Sequence, residues 1–252
     1  MLKTRIIPCL QLIDESLVKT IQFNKFGYIG DPCNTVRIFN ELEVDELCFL
    51  DIRASVDKRT PNLKILKDIA NECFMPLSYG GGISTFQQAK EILLIGFEKI
   101  IINTQAYYNP GLITTISTHF GAQAVVVSID VKKTAHGDTI FVTDGRNKVS
   151  EDLITYAKRM ENAGAGELLI TSIDREGTWE GFDVEMIKRL TNAVSIPVIA
   201  HGGGGSVQHI GEVVKKGGAS AVALGSMLVY QKKGMGVLVN YPDKKILEQI
   251  LS

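Results

Sequence analysis

The sequence predicts a single-domain α/β protein with the (β/α)8 fold, a TIM barrel. Eight short apolar segments alternate with eight segments of helical periodicity over 252 residues, and no linker-like stretch divides them. The segment AVVVSID (124–130) shows no polar alternation, which is typical of a parallel strand buried on both faces. A doubly wound open sheet is the alternative architecture, but it does not require eight such units.

The predicted elements follow one another in a regular order. Strands are predicted at 5–11, 47–52, 75–80, 99–104, 124–130, 167–172, 196–201 and 221–226. Helices are predicted at 31–42, 61–72, 85–95, 109–118, 151–163, 183–192, 206–217 and 244–251. Capping residues support several helix starts, such as Asp31 before Pro32 and Ser150 before two acidic residues. Residues 131–149 alternate apolar and polar positions around the turn signals HGD and DGR, which predicts a hairpin.

An internal repeat supports the barrel. IIPCLQL (6–12) aligns with VVVSIDV (125–131), and GGGISTFQQA (80–89) aligns with GGGGSVQHIG (202–211), so the offset stays near 120 residues. Such a repeat predicts two duplicated half-barrels, roughly 1–120 and 121–252, and each half would bring its own copy of a site.

Composition excludes several classes of protein. The formal net charge of -1 gives no electrostatic reason to expect a nucleic acid or an anionic membrane as partner. No apolar run is long enough for a membrane span, and the start MLKTRIIPC lacks the apolar core of a signal peptide. The four cysteines are scattered without a CxxC pair, and the histidines form no metal-binding pattern. We therefore expect a soluble cytosolic protein with neither a metal nor another cofactor.

Special residues cluster at the carboxyl ends of the predicted strands, which form the active-site face, or mouth, of such barrels. Asp130 ends the most apolar strand and is the first candidate for chemistry. Glycine clusters follow the third and seventh strands, and small or polar residues end the fourth and eighth. Exposed backbone N–H groups at such turns bind phosphate, although tight turns also use glycine. The candidate phosphate-binding residues are Gly81, Gly82, Asn103 and Thr104 in the first half and Gly203, Gly204, Gly225 and Ser226 in the second.

Two pockets on opposite sides of the mouth suit a ligand with a phosphate at each end and its reactive middle over Asp130. Lys19, in a long first βα loop (18–31), would neutralise a phosphate or be solvated. Asp51 and Asp174 would bind ribose hydroxyls or hold loops. Thr171 and Gly177 complete the candidate ligand site, and for Thr171 packing is the simpler role.

The sequence resembles the cyclase subunit of imidazole glycerol phosphate synthase from end to end. The resemblance is carried by RIIPCL (5–10), VKTIQF (18–23), VDEL (44–47), YGGGI (79–83), INT (102–104), SID (128–130), GAGELLITSIDREGT (164–178) and VIAHGGGG (198–205). It implies a (β/α)8 barrel bound to a glutaminase at its amino-terminal face. Ammonia from that glutaminase would travel along the barrel axis and react at the mouth with a bisphosphorylated aminoimidazole-carboxamide ribonucleotide, giving imidazole glycerol phosphate in histidine biosynthesis.

The sequence departs from this family at its catalytic pair. The family uses two aspartates as general acid and base, at the ends of strands one and five. The second is present as Asp130, whereas the first is replaced by Gln11. A carboxamide has no accessible pKa near neutrality and cannot exchange a proton, so cyclisation should be slow or absent. Neutral drift in an enzyme that manages with Asp130 is the alternative. His201 also stands where the family usually has a small residue, and it could reshape the second phosphate pocket.

A second set of residues begins the strands at the opposite end of the barrel. Arg5, Glu46, Lys99 and Glu167 match the charged ring that closes the ammonia entrance in the family. A salt-bridged plug that merely seals the barrel floor is the simpler interpretation. The ring is intact while one catalytic carboxylate is missing, and this contrast favours a retained ammonia gate.

Four functions remain open at this stage. The first is a paralogue that supplies ammonia for amidino-sugar synthesis by a separate sugar amidotransferase, a branch of the family found beside surface-polysaccharide genes; Gln11 and NYPD (240–243) resemble that branch. The second is an ordinary histidine-pathway cyclase with Asp130 as its sole proton-transfer group. The third is a non-catalytic scaffold that stimulates its glutaminase. The related barrel isomerase of the same pathway is a distant fourth, because the charged ring argues against it.

Overall fold

The computed structural model describes residues 4–252 as a closed parallel β-barrel surrounded by helices. Residues 1–3, which open the segment considered above for a signal peptide, lie outside this range. The strands are β1 (Arg5–Ile13), β2 (Ser16–Ile21), β3 (Asn24–Gly30), β4 (Leu47–Asp51), β5 (Leu77–Gly80), β6 (Lys99–Ile102), β7 (Val125–Thr134), β8 (Gly137–Val142), β9 (Asn147–Lys148), β10 (Glu167–Ser172), β11 (Val198–His201) and β12 (Ala221–Leu224). The barrel order is β1-β4-β5-β6-β7-β10-β11-β12, and parallel pairing of β12 with β1 closes it. The predicted (β/α)8 barrel is confirmed.

The helices pack around the barrel and follow the predicted order. They are α1 (Pro32–Leu42), α2 (Leu63–Glu72), α3 (Phe86–Ile95), α4 (Thr104–Tyr108), α5 (Gly111–Phe120), α6 (Leu153–Asn162), α7 (Val184–Thr191), α8 (Val207–Lys215), α9 (Ser226–Val229) and α10 (Lys244–Leu251). Asp31 caps α1 with Pro32 in its first turn, as predicted. The cap of α6 is Asp152 and not Ser150, because the Asp152 carboxylate accepts the free amides of Ile154 and Thr155.

Three elements differ from the prediction. The first βα connection is a hairpin, since β2 and β3 pair antiparallel with each other and β2 pairs with β1. Its left-handed turn residues Gln22 and Phe23 are neither glycine nor asparagine, so no turn signal marked the reversal. The short helices α4 and α9 begin directly after β6 and β12. They are single turns, too short to produce a helical period in the sequence.

Alternation along the barrel strands determines which residues face the axis. Successive side chains of a strand point to opposite faces, so every second residue points inward. In β1 this series is Arg5, Ile7, Cys9 and Gln11, which runs from a charge through apolar residues to an amide. The apolar interior layer consists of Ile7, Cys9, Cys48, Ile101, Val126, Leu169, Ile199, Ala221 and Ala223. The axis therefore has a charged floor, an apolar middle and a polar mouth.

The hairpin predicted at 131–149 is confirmed. β7 continues past the barrel rim to Thr134 and pairs antiparallel with β8, which pairs with β9. Asp174 holds this hairpin, because its Oδ2 accepts the Lys133 amide at 2.7 Å. Among residues 4–252, no helix has the combined length and apolar character that a bilayer crossing requires.

Candidate functional site

The four predicted ring residues meet on the barrel floor in a closed cycle of ion pairs. Arg5 contacts Glu46 at 2.7 Å and Glu167 at 3.0 Å, and Lys99 contacts the same two carboxylates at 3.0 and 3.2 Å. Burial opposes the charge of Arg5, but Glu167 and Glu46 outweigh that effect and raise its pKa. Within the described range, Glu167 Oε2 is a buried oxygen without a hydrogen-bond partner.

A small cavity lies above this ring, inside the barrel. It is lined by Ile7, Glu46, Cys48, Ser78, Ile101, Val126, Leu169, Ile199 and Ala223. Its wall is mostly apolar, so it offers few partners to water and little resistance to a small neutral molecule. Cys9 and Cys48 are free thiols with their sulfur atoms 3.7 Å apart in the same layer.

A cleft of about 790 Å³ opens at the mouth and brings together most of the predicted site. It is lined by Gln11, Asp51, Gly81, Gly82, Asn103, Thr104, Asp130 and Thr171, and also by Thr20, Ser128, Asp144 and His201. Asp130 is buried there, with Asn103 Nδ2 donating to its Oδ2 at 3.1 Å. Burial is the main cause that raises the pKa of Asp130 to about 7, against the opposing effects of His201, Ser128 and Thr171. A carboxyl that titrates near neutrality can both give and take a proton.

Gln11 lines the same cleft, but its side-chain oxygen is hydrogen-bonded to the first hairpin. Its side-chain oxygen accepts the backbone amide of Thr20 at 2.8 Å and the Thr20 hydroxyl at 3.0 Å. These bonds join the carboxyl end of β1 to β2, so Gln11 fastens the hairpin to the mouth.

The first glycine cluster is packed against a fixed loop. Asp51 accepts the amides of Arg53 and Ala54 at 3.0 Å each and forms an ion pair with Arg59 at 3.2 Å, so it holds the loop after β4. A side chain at Gly81 would approach the Asp51 carbonyl oxygen to 2.5 Å, and the φ of +123° at Gly81 also favours glycine. Close backbone packing therefore accounts for this glycine whether or not an anion binds.

Asn103 and Thr104 also have structural partners. Asn103 Nδ2 bridges Asp130 and the Ser128 carbonyl, both at 3.1 Å. Thr104 Oγ1 accepts the Thr143 amide at 3.1 Å and thereby anchors the turn of the β8–β9 hairpin. The first-half candidates Gly81, Gly82, Asn103 and Thr104 therefore meet at the cleft. Asn103 orients Asp130, and Thr104 holds the turn between β8 and β9.

The second predicted group lines a smaller pocket of about 240 Å³ beside the cleft. The pocket is formed by Lys19, Gly177, Gly203, Gly204, Gly225 and Ser226, together with Glu176 and His201. Lys19 is buried and forms an ion pair with the buried Glu176, so the solvated role considered for this lysine is wrong. Burial lowers the pKa of Lys19 to about 7, and the nearby Cys9 opposes part of that decrease.

Thr171 and Asp174 take different positions at the mouth. Thr171 pairs in register with both Asp130 and His201, and its hydroxyl lies 3.1 Å from His201 Nδ1. Asp174 holds the hairpin and does not line the cleft. The loop-holding alternative for Asp174 and Asp51 is therefore what the contacts support.

Two residues at the site, Glu176 and Asp144, were not predicted from the sequence. Glu176 lies in a motif that was recognised, yet only its pairing with Lys19 marks it out. Asp144 belonged to a turn signal and gave no sign that it would line the cleft, where burial raises its pKa to about 6. His201, which was predicted to shape the second pocket, lines both that pocket and the cleft, and its hydrogen bond to Thr171 depends on the pairing of two strands. In the described part of the chain, no group of three or more His, Cys, Asp or Glu residues is arranged to hold a metal ion.

Comparison with known proteins agrees with this architecture. The family described as Histidine biosynthesis protein matches residues 5–234. The chain is 41% identical over 233 residues to the imidazole glycerol phosphate synthase subunit HisF of Alkaliphilus metalliredigens, with 92% of each chain covered. Two relatives carry names that assign them to this subunit only provisionally. One, from Leptospira borgpetersenii, is 45% identical over 245 residues with 96% of each chain covered. The other, hisF2 of Pseudomonas aeruginosa, is 43% identical over 249 residues, with 98% of this chain and 99% of the relative covered. The chain therefore belongs to the histidine biosynthesis protein family and, within it, to the HisF-type cyclase subunits of imidazole glycerol phosphate synthase.

Proposed function

We propose that this chain receives ammonia from a glutaminase docked at the amino-terminal face of the barrel and delivers it at the mouth to an acceptor outside histidine biosynthesis. The acceptor reaction we propose is amidino-sugar formation for a surface polysaccharide, carried out by a separate sugar amidotransferase in the cytoplasm. The observation that carries the proposal is that Gln11, which stands where the family resemblance leads us to expect an aspartate, uses its side-chain oxygen to bind Thr20.

The axis of the barrel supports the ammonia route. In the proposed route, Arg5, Glu46, Lys99 and Glu167 form the gate, and the apolar cavity above them is the first part of the path. A ring of alternating charge offsets its own desolvation by ion pairing, and it must shift to admit a molecule. Glu167 Oε2, a buried oxygen of the ring without a hydrogen-bond partner among the described residues, is the acceptor that we propose for ammonia at the gate.

The mouth supports a role in holding a small molecule beside Asp130. We propose that this molecule is phosphorylated, with Gly81, Gly82, Asn103 and Thr104 as its first candidate anchor and Lys19, Gly177, Gly203, Gly204, Gly225 and Ser226 as its second. Asp51, Thr171 and Asp174 shape the surrounding loops. Asp130 is the proposed proton-transfer group, because burial holds its pKa near neutrality.

A second candidate function is the cyclase reaction of the histidine pathway. The observation that favours it is the same titration of Asp130, since one carboxyl near neutrality can serve as acid and then as base. Gln11 would then only position the first hairpin. General acid–base assistance is worth about 10²–10⁴-fold, so an enzyme lacking one partner should be slow by a comparable factor.

The deciding experiment is a cyclisation assay with the bisphosphorylated carboxamide ribonucleotide and an ammonium salt, run on the wild type and on Gln11→Asp. We expect a wild type at background and a variant that gains at least 10²-fold. Efficient cyclisation by the wild type would overturn the proposal and establish the second candidate.

A parallel measurement tests the ammonia route. A HisH-type glutaminase is mixed with the wild type or with Thr171→Trp, which places a bulky ring at the axis exit. We expect glutamine hydrolysis to be stimulated in both mixtures, while transfer of nitrogen to the sugar acceptor falls only with Thr171→Trp. Equal transfer by the two proteins would favour a scaffold that only stimulates its glutaminase.

A further inference from the structure

Two free thiols meet inside the barrel, in the apolar layer between the charged floor and the polar mouth. Cys9 of β1 and Cys48 of β4 are register partners on neighbouring parallel strands, and their sulfur atoms lie 3.7 Å apart. The two residues are only 1% and 3% exposed. Cys48 also lines the cavity above the floor ring. The function proposed above uses neither thiol.

The backbone allows these two thiols to form a disulfide. Neighbouring strands of a sheet lie about 4.8 Å apart, which is within the range of about 4.4–6.8 Å that a disulfide requires between its Cα atoms. A disulfide bond is about 2.05 Å long, so the sulfur atoms of Cys9 and Cys48 have to approach each other by about 1.7 Å. Small rotations of the two side chains can supply a movement of this size.

The surroundings make the two thiols unequal. The hydrogen bond with Cys48 lowers the pKa of Cys9 against the effect of burial, and His201 and Lys19 act in the same direction as that bond. The hydrogen bond with Cys9, together with burial, raises the pKa of Cys48. The thiolate is the nucleophile in thiol oxidation, so Cys9 is suited to attack an oxidant and Cys48 to react with the product.

Access to the pair selects a small neutral oxidant. Hydrogen peroxide is uncharged and, like ammonia, close to water in size, whereas a large disulfide such as oxidised glutathione does not fit along the barrel axis. The other two cysteines differ in both respects. Cys33 in α1 and Cys73 at the end of α2 are half-buried outside the barrel, and burial raises the pKa of each.

From this geometry we propose that Cys9 and Cys48 form a site of reversible oxidation, which a hydroperoxide converts to a disulfide. The Cys9 thiolate attacks one peroxide oxygen, so that an S–O bond forms, the O–O bond breaks and the leaving hydroxide takes a proton to give water. Cys48 then attacks the Cys9 sulfur; the S–S bond forms, the S–O bond breaks, and hydroxide leaves with the Cys48 proton as a second water. The two thiols together lose two electrons, and the peroxide gains them.

The disulfide would join two strands that carry gate residues. Arg5 begins β1, Glu46 directly precedes β4, and these two side chains form an ion pair at 2.7 Å. The ring must shift to admit a molecule, so a covalent link between the same strands opposes its opening. This consequence rests on the proposed ammonia route. Coupling between two sites of a protein is typically worth about 5–150-fold, and we expect a decrease of at least about fivefold in ammonia transfer.

The first test is oxidation of the reduced full chain by hydrogen peroxide, with oxidised glutathione as the bulky comparison. The treated protein is unfolded, its remaining thiols are alkylated, and its peptides are analysed by mass spectrometry. We expect peroxide to remove two of the four thiols and to link Cys9 to Cys48, whereas oxidised glutathione leaves both free. Dithiothreitol should restore them. The control variant Cys33→Ala/Cys73→Ala should form the same link.

The variant Cys48→Ala tests the order of the two steps. It should form no disulfide, and dimedone should trap Cys9 as a sulfenic acid; if this variant does not fold, Cys9→Ala should likewise form no disulfide. The inference is overturned if peroxide oxidises Cys33 or Cys73 in preference to the pair. It is also overturned if Cys9 and Cys48 become linked only after unfolding, or if oxidised glutathione links them as readily.

The second test measures transfer of nitrogen from a HisH-type glutaminase to the sugar acceptor, after the peroxide has been removed. Peroxide-treated wild type and the treated control variant should each transfer at least about fivefold more slowly than the same protein untreated, and dithiothreitol should reverse the loss. Unchanged transfer by the linked protein would overturn the effect on the gate. No transfer by the untreated protein would instead count against the proposed function, because the disulfide analysis requires no ammonia.

Discussion

The side-chain oxygen of Gln11 accepts two hydrogen bonds from Thr20, from the backbone amide at 2.8 Å and from the hydroxyl at 3.0 Å. Both residues are buried, so neither donor of Thr20 has water as a substitute. Gln11 therefore has a structural role, which is to attach β2 to the carboxyl end of β1 at the mouth.

This relationship predicts that Gln11→Leu destabilises the fold. The change leaves the Thr20 amide and hydroxyl unpaired in a buried site, which typically costs about 1–3 kcal/mol in the free energy of unfolding. Urea unfolding at pH 7.5 measures the difference. The matched control is Gln87→Leu, at an exposed position on α3, which should change stability by less than about 0.5 kcal/mol. Equal effects of the two changes would contradict the assigned role of Gln11.

The raised pKa of Asp130 predicts that the effect of Asp130→Asn on the free energy of unfolding depends on pH. Because burial raises its pKa from 3.8 to about 7, the folded state binds a proton more tightly than the unfolded state. The stabilisation linked to this proton is complete below the unfolded pKa and is lost as the pH rises through about 7. The wild type should therefore lose about 2–3 kcal/mol between pH 5 and pH 9 from this group alone.

Asp130→Asn removes the titration, so its stability relative to the wild type should rise from pH 5 to about pH 7 and then level off. Chemical denaturation at four pH values measures this. Asp57→Asn is the control, since Asp57 is paired with Arg53 and the hydrogen bond from Arg53 lowers its pKa. A pH-independent difference between Asp130→Asn and the wild type would show that Asp130 is ionised throughout the range.

The ion-pair ring on the barrel floor predicts that removing the charge of Lys99 lowers the free energy of unfolding substantially. Lys99 contacts both Glu46 and Glu167, and Lys99→Met would leave Arg5 as the remaining ring partner of two largely buried carboxylates. Removing one member of a buried ion pair typically costs about 3–5 kcal/mol, and partial exposure of this ring should bring the value to about 3 kcal/mol. Thermal and urea unfolding measure the change. Lys244→Met, which breaks the exposed pair with Glu43, is the control and should be nearly neutral.

The hydrogen bond from the Lys133 amide to Asp174 predicts that replacing Asp174 loosens the β7–β8 hairpin locally. Asp174→Ala removes the acceptor of the Lys133 amide and should loosen the hairpin formed by β7 and β8. We expect faster tryptic cleavage at Lys132 and Lys133 by at least threefold, with little change in global unfolding. Asp14→Ala, at an exposed turn, should leave the cleavage rate unchanged. If cleavage at the hairpin is equally slow in both variants, Asp174 does not hold it.

The sequence by itself determined the barrel and the two ends of its axis. Regular spacing of apolar strands specifies the eight units, and the period of two along each strand puts a charge such as Arg5 at the floor and Asp130 at the mouth. The ring of Arg5, Glu46, Lys99 and Glu167 was implied by the family resemblance, and the structure places these residues at or directly before the starts of their strands. The half-barrel duplication stays a prediction from the repeat.

Only the tertiary structure decided which partners the mouth residues have. The pairing of Lys19 with Glu176 joins positions 157 residues apart, and the hydrogen bond between Thr171 and His201 depends on the register of two strands. Burial likewise sets the pKa of Asp130, and it comes from side chains of several strands that no local pattern brings together. A single strand fixes which way a side chain points. The pKa and the hydrogen-bond partners of that side chain depend on the residues that the closed barrel places around it.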